Sequence, residues 1–240
     1  MSTNRILLLP VLAVGALALA LTGCALPIPT GPLATEDRPV ASDVHAVVLA
    51  TSGRLEVRIG DESSLTVSAP ERIIDRLTSE ASDGTLTLGS TGGGLLNAFD
   101  SIRYTLTLPL IDALQLVGSG DADVDFEGAD QVDIQVDGSG DVRAAGIDAR
   151  EVRIAISGSG DATVSGAADD GEFTVVGSGD LDASALRVGA GEADVSGSGD
   201  LSVHAVDSLD ASVSGSGEIR YAGTPRLASD VSGSGSISND

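Results

Sequence analysis

Apolar and polar residues alternate along much of the chain beyond Val44. The sequence LEVRI at 55–59 is one example and VDIQV at 132–136 is another. Because successive side chains of a strand point to opposite faces, this alternation predicts β-strands that each have one buried face. Residues 71–77 could instead form one or two helical turns, since Pro70 suits the start of a helix.

The tetrapeptide Gly-Ser-Gly-Asp recurs through the second half of the chain. It begins at Gly118, Gly138, Gly158, Gly177 and Gly197, and it returns as Gly-Ser-Gly-Glu at Gly215 and as Gly-Ser-Gly-Ser at Gly233. Successive motifs start 18 to 20 residues apart, and alternating runs follow and precede each of them. Each unit therefore holds two strands and a third short one. A unit of this length cannot bury its apolar face alone, but it can when it stacks on its neighbours.

One turn motif for each three-strand unit favours a parallel β-helix. A hairpin sandwich would repeat its turn residues between every pair of strands. The handedness of crossover connections then favours a right-handed coil. We predict an all-β, right-handed parallel β-helix (a solenoid) with about 18–20 residues per coil. Residues 117–240 form its repeat region, and residues 44–116 form an N-terminal β segment that starts and caps the stack. Within that segment, Ser82-Asp83-Gly84 predicts a hairpin turn.

The alternation also places the repeated motif on the coil. Between Val195 and Leu201, which face inward, it turns Gly197 and Gly199 inward and leaves the serine and aspartate outward. The glycines then mark a bend, or a place where another wall comes too close for a Cβ atom. Stacking the units predicts an outward column of serines and a parallel column of carboxylates. We call the second one the acidic column: Asp121, Asp141, Asp161, Asp180, Asp200 and Glu218.

Stacked carboxylates repel one another, by about 1 kcal/mol for each neighbouring pair in water at ~4.8 Å. Two kinds of interaction would offset this repulsion. The carboxylates could accept hydrogen bonds from N–H groups of the turns. Alternatively, they could hold a column of cations, of which calcium suits oxygen ligands best. The spacing does not match the nine-residue calcium repeat, so the sequence favours the turn hydrogen bonds.

The first residues predict export and attachment to a membrane. Residues 1–23 have one early positive charge, an apolar centre at 6–21 and small residues at the end, as in a signal peptide. The sequence Leu-Thr-Gly-Cys at 21–24 resembles a bacterial lipobox, which implies lipid on Cys24. A secreted protein with an incidental cysteine and a retained signal anchor are the alternatives. Four prolines at 24–43 then predict an extended tether.

Charge and composition limit the chemistry. The chain has 36 acidic residues against 13 arginines and no lysine, for a net charge of −23. This acidity argues against nucleic acid as a partner and against direct docking on anionic lipid. A cationic or calcium-bridged partner suits it better. His45 and His204 are the only histidines, and no nucleophile, base and orienting group occur as a set. We therefore expect no enzymatic activity, no catalytic residue and no cofactor, with bound calcium as the one open alternative.

The repeated Val/Ile-x-Gly-Ser-Gly-Asp unit, behind a lipobox and a less repetitive β segment, resembles the head GIN domain family. The resemblance covers residues 44–240 and implies a pectin-lyase-like β-helix with an adhesin role. It supplies no catalytic residues. Together with the lipobox, it implies an extracytoplasmic lipoprotein, held to the membrane by its N-terminal lipid, that binds an unknown protein or envelope polymer. A structural or sensory envelope scaffold is the alternative, and a polysaccharide-active β-helix enzyme fits less well.

Overall fold

Inward-facing Val, Ile and Leu side chains hold stacked parallel strands together. The computed structural model describes residues 32–92 and 101–240. Strands make up 71% of these residues, and the stack forms a β-solenoid of about 6 turns. The predicted all-β solenoid is thus confirmed. The predicted signal peptide (1–23), Cys24 and the tether as far as residue 31 lie outside the described residues.

The described residues form seventeen strands and one helical turn. The elements are β1 (Leu33–Arg38), β2 (Ala46–Leu49), β3 (Arg54–Ile59), β4 (Ser64–Pro70), α1 (Glu71–Ile74), β5 (Leu77–Ser82), β6 (Thr85–Ser90), β7 (Arg103–Leu108), β8 (Ala113–Gly118), β9 (Asp121–Asp125), β10 (Gln131–Gly138), β11 (Val142–Gly158), β12 (Ala162–Gly177), β13 (Leu181–Gly197), β14 (Asp200–Gly215), β15 (Glu218–Ala222), β16 (Arg226–Gly233) and β17 (Ser236–Asn239).

The parallel strands build two walls. The first wall stacks β6, β2, β8, β10, the C-terminal halves of β11 to β14, and β16. The second wall stacks β7, β3, β9, the N-terminal parts of β11 to β14, β15 and β17. A third short segment joins them in the middle coils, where residues 147–149 pair with residues 166–168 after a register shift. The two strands predicted for each unit are confirmed, and the short third strand is present in the middle coils but not between β9 and β10 or between β15 and β16.

The stacking order departs from the order of the chain near the N-terminus. Strands β2 and β3 form a coil that lies between the β6–β7 coil and the β8–β9 coil. The chain therefore forms the β2–β3 coil first and the β6–β7 coil next, on one side of it. It then forms the β8–β9 coil on the opposite side, from which the stack continues. Alternation gives no sign of this, because it determines which face a side chain takes and not which strand pairs with which.

Antiparallel strands close one end of the solenoid, which we call the cap end. On the second wall, β4 pairs with β7 and β1 pairs with β4, and on the first wall β5 pairs with β6. The predicted helical region is the single turn α1, which starts after Pro70 and buries Ile73 and Ile74. The predicted hairpin turn is also found between β5 and β6, where Asp83 has φ +51°.

The segment predicted to be a tether is shorter than residues 24–43. Residues Leu33–Arg38 form β1, which pairs along its whole length with β4. Arg38 also donates hydrogen bonds to the carbonyl oxygens of Leu77 and Ile74, at 2.7 and 2.9 Å. These contacts make β1 part of the cap. Among the described residues, no helix has the length and apolarity to cross a bilayer.

The other end of the solenoid, which we call the open end, has no comparable covering among the described residues. Strands β16 and β17 form its last coil, and among the described strands they pair only with β14 and β15. Leu227 and Val231 stack on Leu209 and Val213, which are each 1% exposed. Nevertheless, Leu227 is 41% exposed and Val231 is 45% exposed. The last coil thus continues the core but leaves its apolar side chains in contact with solvent.

Candidate functional site

Each Gly-Ser-Gly-Asp motif forms the corner where the first wall ends and the second begins. At the first glycine of the corner, Gly177 has φ +124°, and a Cβ there would lie 2.3 Å from the carbonyl oxygen of Gly158. At the second, a Cβ on Gly179 would lie 2.1 Å from the carbonyl oxygen of Gly160. The group that excludes a side chain is therefore the equivalent glycine of the coil beneath, and not an opposite wall. The second glycine is buried as predicted, whereas the first is half-buried.

Hydrogen bonds between coils explain why the corner repeats its sequence. The Ser178 N–H donates to the carbonyl oxygen of Gly158 at 2.8 Å, and every later corner repeats this bond. The Gly199 N–H also donates to the carbonyl oxygen of Gly177, at 3.2 Å. The carbonyl of the first glycine, which excludes a Cβ atom from the first glycine of the next coil, is thus also an acceptor that joins the two coils.

The carboxylates of the acidic column also form hydrogen bonds between neighbouring coils. Each aspartate accepts, through Oδ1, the backbone N–H of the acidic residue one coil further on. The distances are 3.4 Å for Asp121 to Asp141, 3.4 Å for Asp141 to Asp161, 2.9 Å for Asp161 to Asp180, 2.9 Å for Asp180 to Asp200 and 3.0 Å for Asp200 to Glu218. Hydrogen bonds to a charged acceptor contribute about 1.5–3 kcal/mol. Such bonds are large enough to offset the repulsion between neighbouring carboxylates.

An arginine lies next to the acidic column on its cap-end side. The repeat pattern did not predict this arginine. Arg54 pairs in register with Asp121, and its Nη2 lies 3.0 Å from Asp121 Oδ2. The Asp121 N–H donates to the carbonyl oxygen of Gly53. The sequence Thr-Ser-Gly-Arg at 51–54 therefore serves as a degenerate corner. Its Ser-Gly dipeptide between two alternating runs is the signal that could have revealed it.

A second arginine balances the open-end side of the column. Arg220 forms an ion pair with Glu218 and lies 3.7 Å from Asp200. The hydrogen bond to Glu218 raises the pKa of the Arg220 guanidinium above its usual value. Glu218 also accepts a hydrogen bond from Ser238. In the last coil Ser236 stands where the acid would be, so the column ends at Glu218.

Within 32–92 and 101–240, no three His, Cys, Asp or Glu side chains gather as a metal site would require. The acidic column holds its carboxylates in a line, each engaged with the backbone of the next coil. Turn hydrogen bonding and calcium binding by this column predict different outcomes for one substitution.

We expect Asp180→Asn to leave the free energy of unfolding unchanged or slightly higher. Asparagine keeps the oxygen that accepts the Asp200 N–H, while it removes one charge from the column. Asp180→Ala removes both the acceptor and the charge, so relief of the carboxylate repulsion offsets part of the lost hydrogen bond and the net cost should be about 1 kcal/mol. Urea unfolding with millimolar calcium and with chelator would measure both. A calcium-dependent gain in wild type that Asp180→Asn abolishes would show that the column binds the ion.

The outer face of the first wall has a shallow acidic depression. Its floor is formed by small residues, among them Gly171, Ala190 and Gly191. Its rim carries five carboxylates: Glu151, Asp170, Glu172, Glu192 and Asp210. Arg153 lies beside it, where it pairs with Glu151 and, at 3.1 Å, with Glu172. The repeat region from Val117 has 24 acidic residues and 6 arginines, so this depression lies within a strongly negative surface.

The two histidines lie on different parts of the stack. His45 precedes β2 near the cap end, and its Nδ1 lies 2.9 Å from Asp112 Oδ1. His204 is half-buried on β14, next to the open end in stacking order. The structure therefore does not bring them together.

The fold also occurs in known proteins. A family model described as "Putative auto-transporter adhesin, head GIN domain" matches residues 43–225. The chain belongs to this family. The resemblance inferred from the repeated motif is thus confirmed, and the match ends just before the last coil. None of the curated proteins matches the chain.

Solved structures resemble this GIN domain over most of its length. A "putative adhesin" from Bacteroides fragilis is 27% identical, with a TM-score of 0.80 over 88% of this chain and 99% of that one. A "putative lipid binding protein" from Parabacteroides distasonis is 24% identical, with a TM-score of 0.69 over 88% and 98% of the two chains. A "putative adhesin" from Parabacteroides merdae is 18% identical, with a TM-score of 0.67 over 88% and 97%. The last two show the shared fold.

Proposed function

We propose that this chain is a lipid-anchored adhesin of the bacterial envelope and that it is not an enzyme. The observation that carries the proposal is the match of residues 43–225 to an adhesin family. The outer faces of the solenoid support it, because they form long polar walls suited to a broad contact surface. The binding partner is a protein or an envelope polymer, and it is not nucleic acid.

The position of the N-terminus supports an orientation on the membrane. Lipid on Cys24 would hold the chain through residues 25–32, and β1 follows directly at Leu33. Because β1 belongs to the cap, the cap end would face the membrane. The open end would then point outward. This arrangement keeps the acidic repeat region away from anionic lipid headgroups, which it would repel.

The charge of the outer walls limits the partner. A surface with the carboxylates of the acidic depression favours amino groups, or anionic groups bridged by calcium. Association driven by such a surface weakens as salt rises, because the Debye length shortens from about 10 Å at 0.1 M to about 3 Å at 1 M. We therefore expect attachment through the walls to fall with increasing ionic strength.

The role of Cys24 can be tested in the bacterium that makes the protein. Cys24→Ala should move the protein from the membrane fraction to the soluble fraction, because the thiol that receives the lipid is lost. A globomycin-type inhibitor should cause the precursor to accumulate in wild type. Equal membrane retention of wild type and variant, with no effect of the inhibitor, would contradict lipid anchoring.

Adhesion itself needs a separate readout. A strain without the gene should attach several-fold less to cells and purified envelope polymers than a strain that expresses the wild-type chain. The matched control is Ser178→Ala, which changes one exposed corner side chain and should attach as wild type does. Unchanged attachment on deletion, together with capture of an envelope protein from membranes, would contradict the adhesin and favour a scaffold.

A further inference from the structure

The open end presents an unfinished β-sheet edge. Strand β16 pairs on one side with β14, and among the described residues no strand pairs with its other side. Leu227 and Val231 continue the core column but are 41% and 45% exposed. Sheet edges of this kind recruit further strands unless charge, proline or a bulge prevents it. At the cap end, antiparallel strands lie against the last parallel coil, whereas at the open end core side chains of the last coil are themselves exposed.

The charge of the last coil distinguishes it from the rest of the repeat region. Residues 223–240 hold one arginine and two aspartates, and β17 has no charged side chain. The whole repeat region from Val117 has 24 acidic residues and 6 arginines. Two copies of so acidic a chain repel each other over most of their surface. Two open ends therefore repel each other less than two walls of the repeat region do.

The sequence of β16 is complementary to itself in antiparallel pairing. A two-fold axis through Ser229 places Leu227 opposite the partner's Val231, on the core face of the sheet. On the outer face it brings Arg226 into a diagonal position next to the partner's Asp230. Diagonal neighbours lie about 7–8 Å apart, within reach of a long arginine side chain. Strand β17 pairs only with β15 among the described strands, so its outer edge is also available to a counterpart strand. A symmetric contact of this type closes on itself and makes a dimer.

We propose that two copies of this chain join end to end through β16 and β17. This inference rests on the proposed function, because it names a partner for the adhesin: a second copy on an opposing surface. If the cap ends face their own membranes, the two open ends meet between them. The apolar side chains of the last coil are then covered, and each Arg226 lies beside the partner's Asp230.

Exchanging the two charges tests the pairing. Arg226→Asp puts two acidic residues together across the contact, and Asp230→Arg puts two arginines together. We expect each single variant to weaken self-association at least tenfold in sedimentation of the full-length, detergent-solubilised protein. The double variant restores the complementary pairs and should associate as wild type does. Val231→Asp should also weaken association, whereas Val176→Asp, at a similarly exposed wall position, should not.

Vesicles distinguish contact between membranes from contact within one. Phosphatidylcholine vesicles that display the wild-type chain should cluster, and vesicles that display either single variant should not. Vesicles with Arg226→Asp should cluster with vesicles with Asp230→Arg, because the pairs between them are complementary. Monomeric wild type without clustering would overturn the inference, even if cells still attach to other surfaces and the adhesin proposal survives. Clustering unaffected by all three single substitutions would also overturn it.

Discussion

Gly179→Ala should destabilise the solenoid by about 3 kcal/mol, since adding atoms where the neighbours cannot move is costly. The new Cβ would lie 2.1 Å from the carbonyl oxygen of Gly160 and 3.1 Å from Ile156 Cγ2. The first of these contacts is with backbone, and hydrogen bonds between the coils hold that backbone in place. Urea unfolding followed by circular dichroism measures the loss of free energy.

Ser178→Ala is the matched control for this substitution. The Ser178 side chain, one residue before Gly179, is exposed. In the variant the backbone N–H of residue 178 still donates to the carbonyl oxygen of Gly158. The free energy of unfolding should therefore change by no more than about 0.5 kcal/mol. If Gly179→Ala were as mild as Ser178→Ala, the close stacking of the corner glycines would be contradicted.

Alanine substitutions at Gly118 and Gly177, each the first glycine of its corner motif, distinguish the cost of backbone strain from the cost of a clash with the neighbouring coil. Gly118 and Gly177 have φ +111° and +124°, so alanine is strained at both. A Cβ on Gly118 would meet nothing within 4 Å, whereas one on Gly177 would meet the carbonyl oxygen of Gly158 at 2.3 Å. Gly118→Ala should cost about 1–2 kcal/mol from strain alone, and Gly177→Ala should cost more.

Phe173→Ala should destabilise the solenoid by about 3–5 kcal/mol, the range for removing a large buried aromatic side chain. Phe173 is 0% exposed, and it pairs with Ile154 in the coil on one side and with Ala193 in the coil on the other. Its ring fills the space beside Gly171, where a Cβ would lie 2.7 Å from it. The small residues around the ring cannot fill the cavity that alanine leaves. The loss is measured as the change in urea midpoint multiplied by the slope of unfolding.

Thr174→Ala controls for changes on β12 that leave the core intact. Thr174 faces outward on the same strand and is half-buried. It should change stability by about 0.5 kcal/mol or less. Fluorescence and circular dichroism should be followed together, because a repeat protein can lose coils separately and depart from a two-state transition. A loss below about 1 kcal/mol for Phe173→Ala would contradict the packing of this coil.

The repeat region was predictable because its information is local. The Gly-Ser-Gly-Asp period gave the coil, and the alternation around Val195 and Leu201 gave the buried face. The position of the second glycine followed from the same alternation. The first glycine did not follow, because its positive φ interrupts the alternation at the end of the strand. Local patterns thus predicted which side chains form the core of the repeats.

The cap was harder to predict because long-range pairing determines it. Proline-rich composition around Leu33 indicated a tether, yet β1 pairs with β4, whose residues lie 27 to 37 positions further along the chain. The β2–β3 coil lies between two coils that are formed later in the chain, and the local sequence pattern does not indicate this order. The role of Arg54 depends on the same insertion, since Asp121 meets it only after the coils have stacked. The residues that complete the acidic column therefore could not be found from spacing alone.

Attachment of a non-adherent bacterial host tests the adhesin proposal most directly. The host would express the full-length wild-type chain, Cys24→Ala, Ser178→Ala or an empty vector, with the amount of surface protein measured by antibody. Attachment to cells and envelope polymers should rise several-fold over the vector with wild type and Ser178→Ala, and it should fall to the vector level with Cys24→Ala. Wild-type protein present at the surface without any gain in attachment would contradict the proposal.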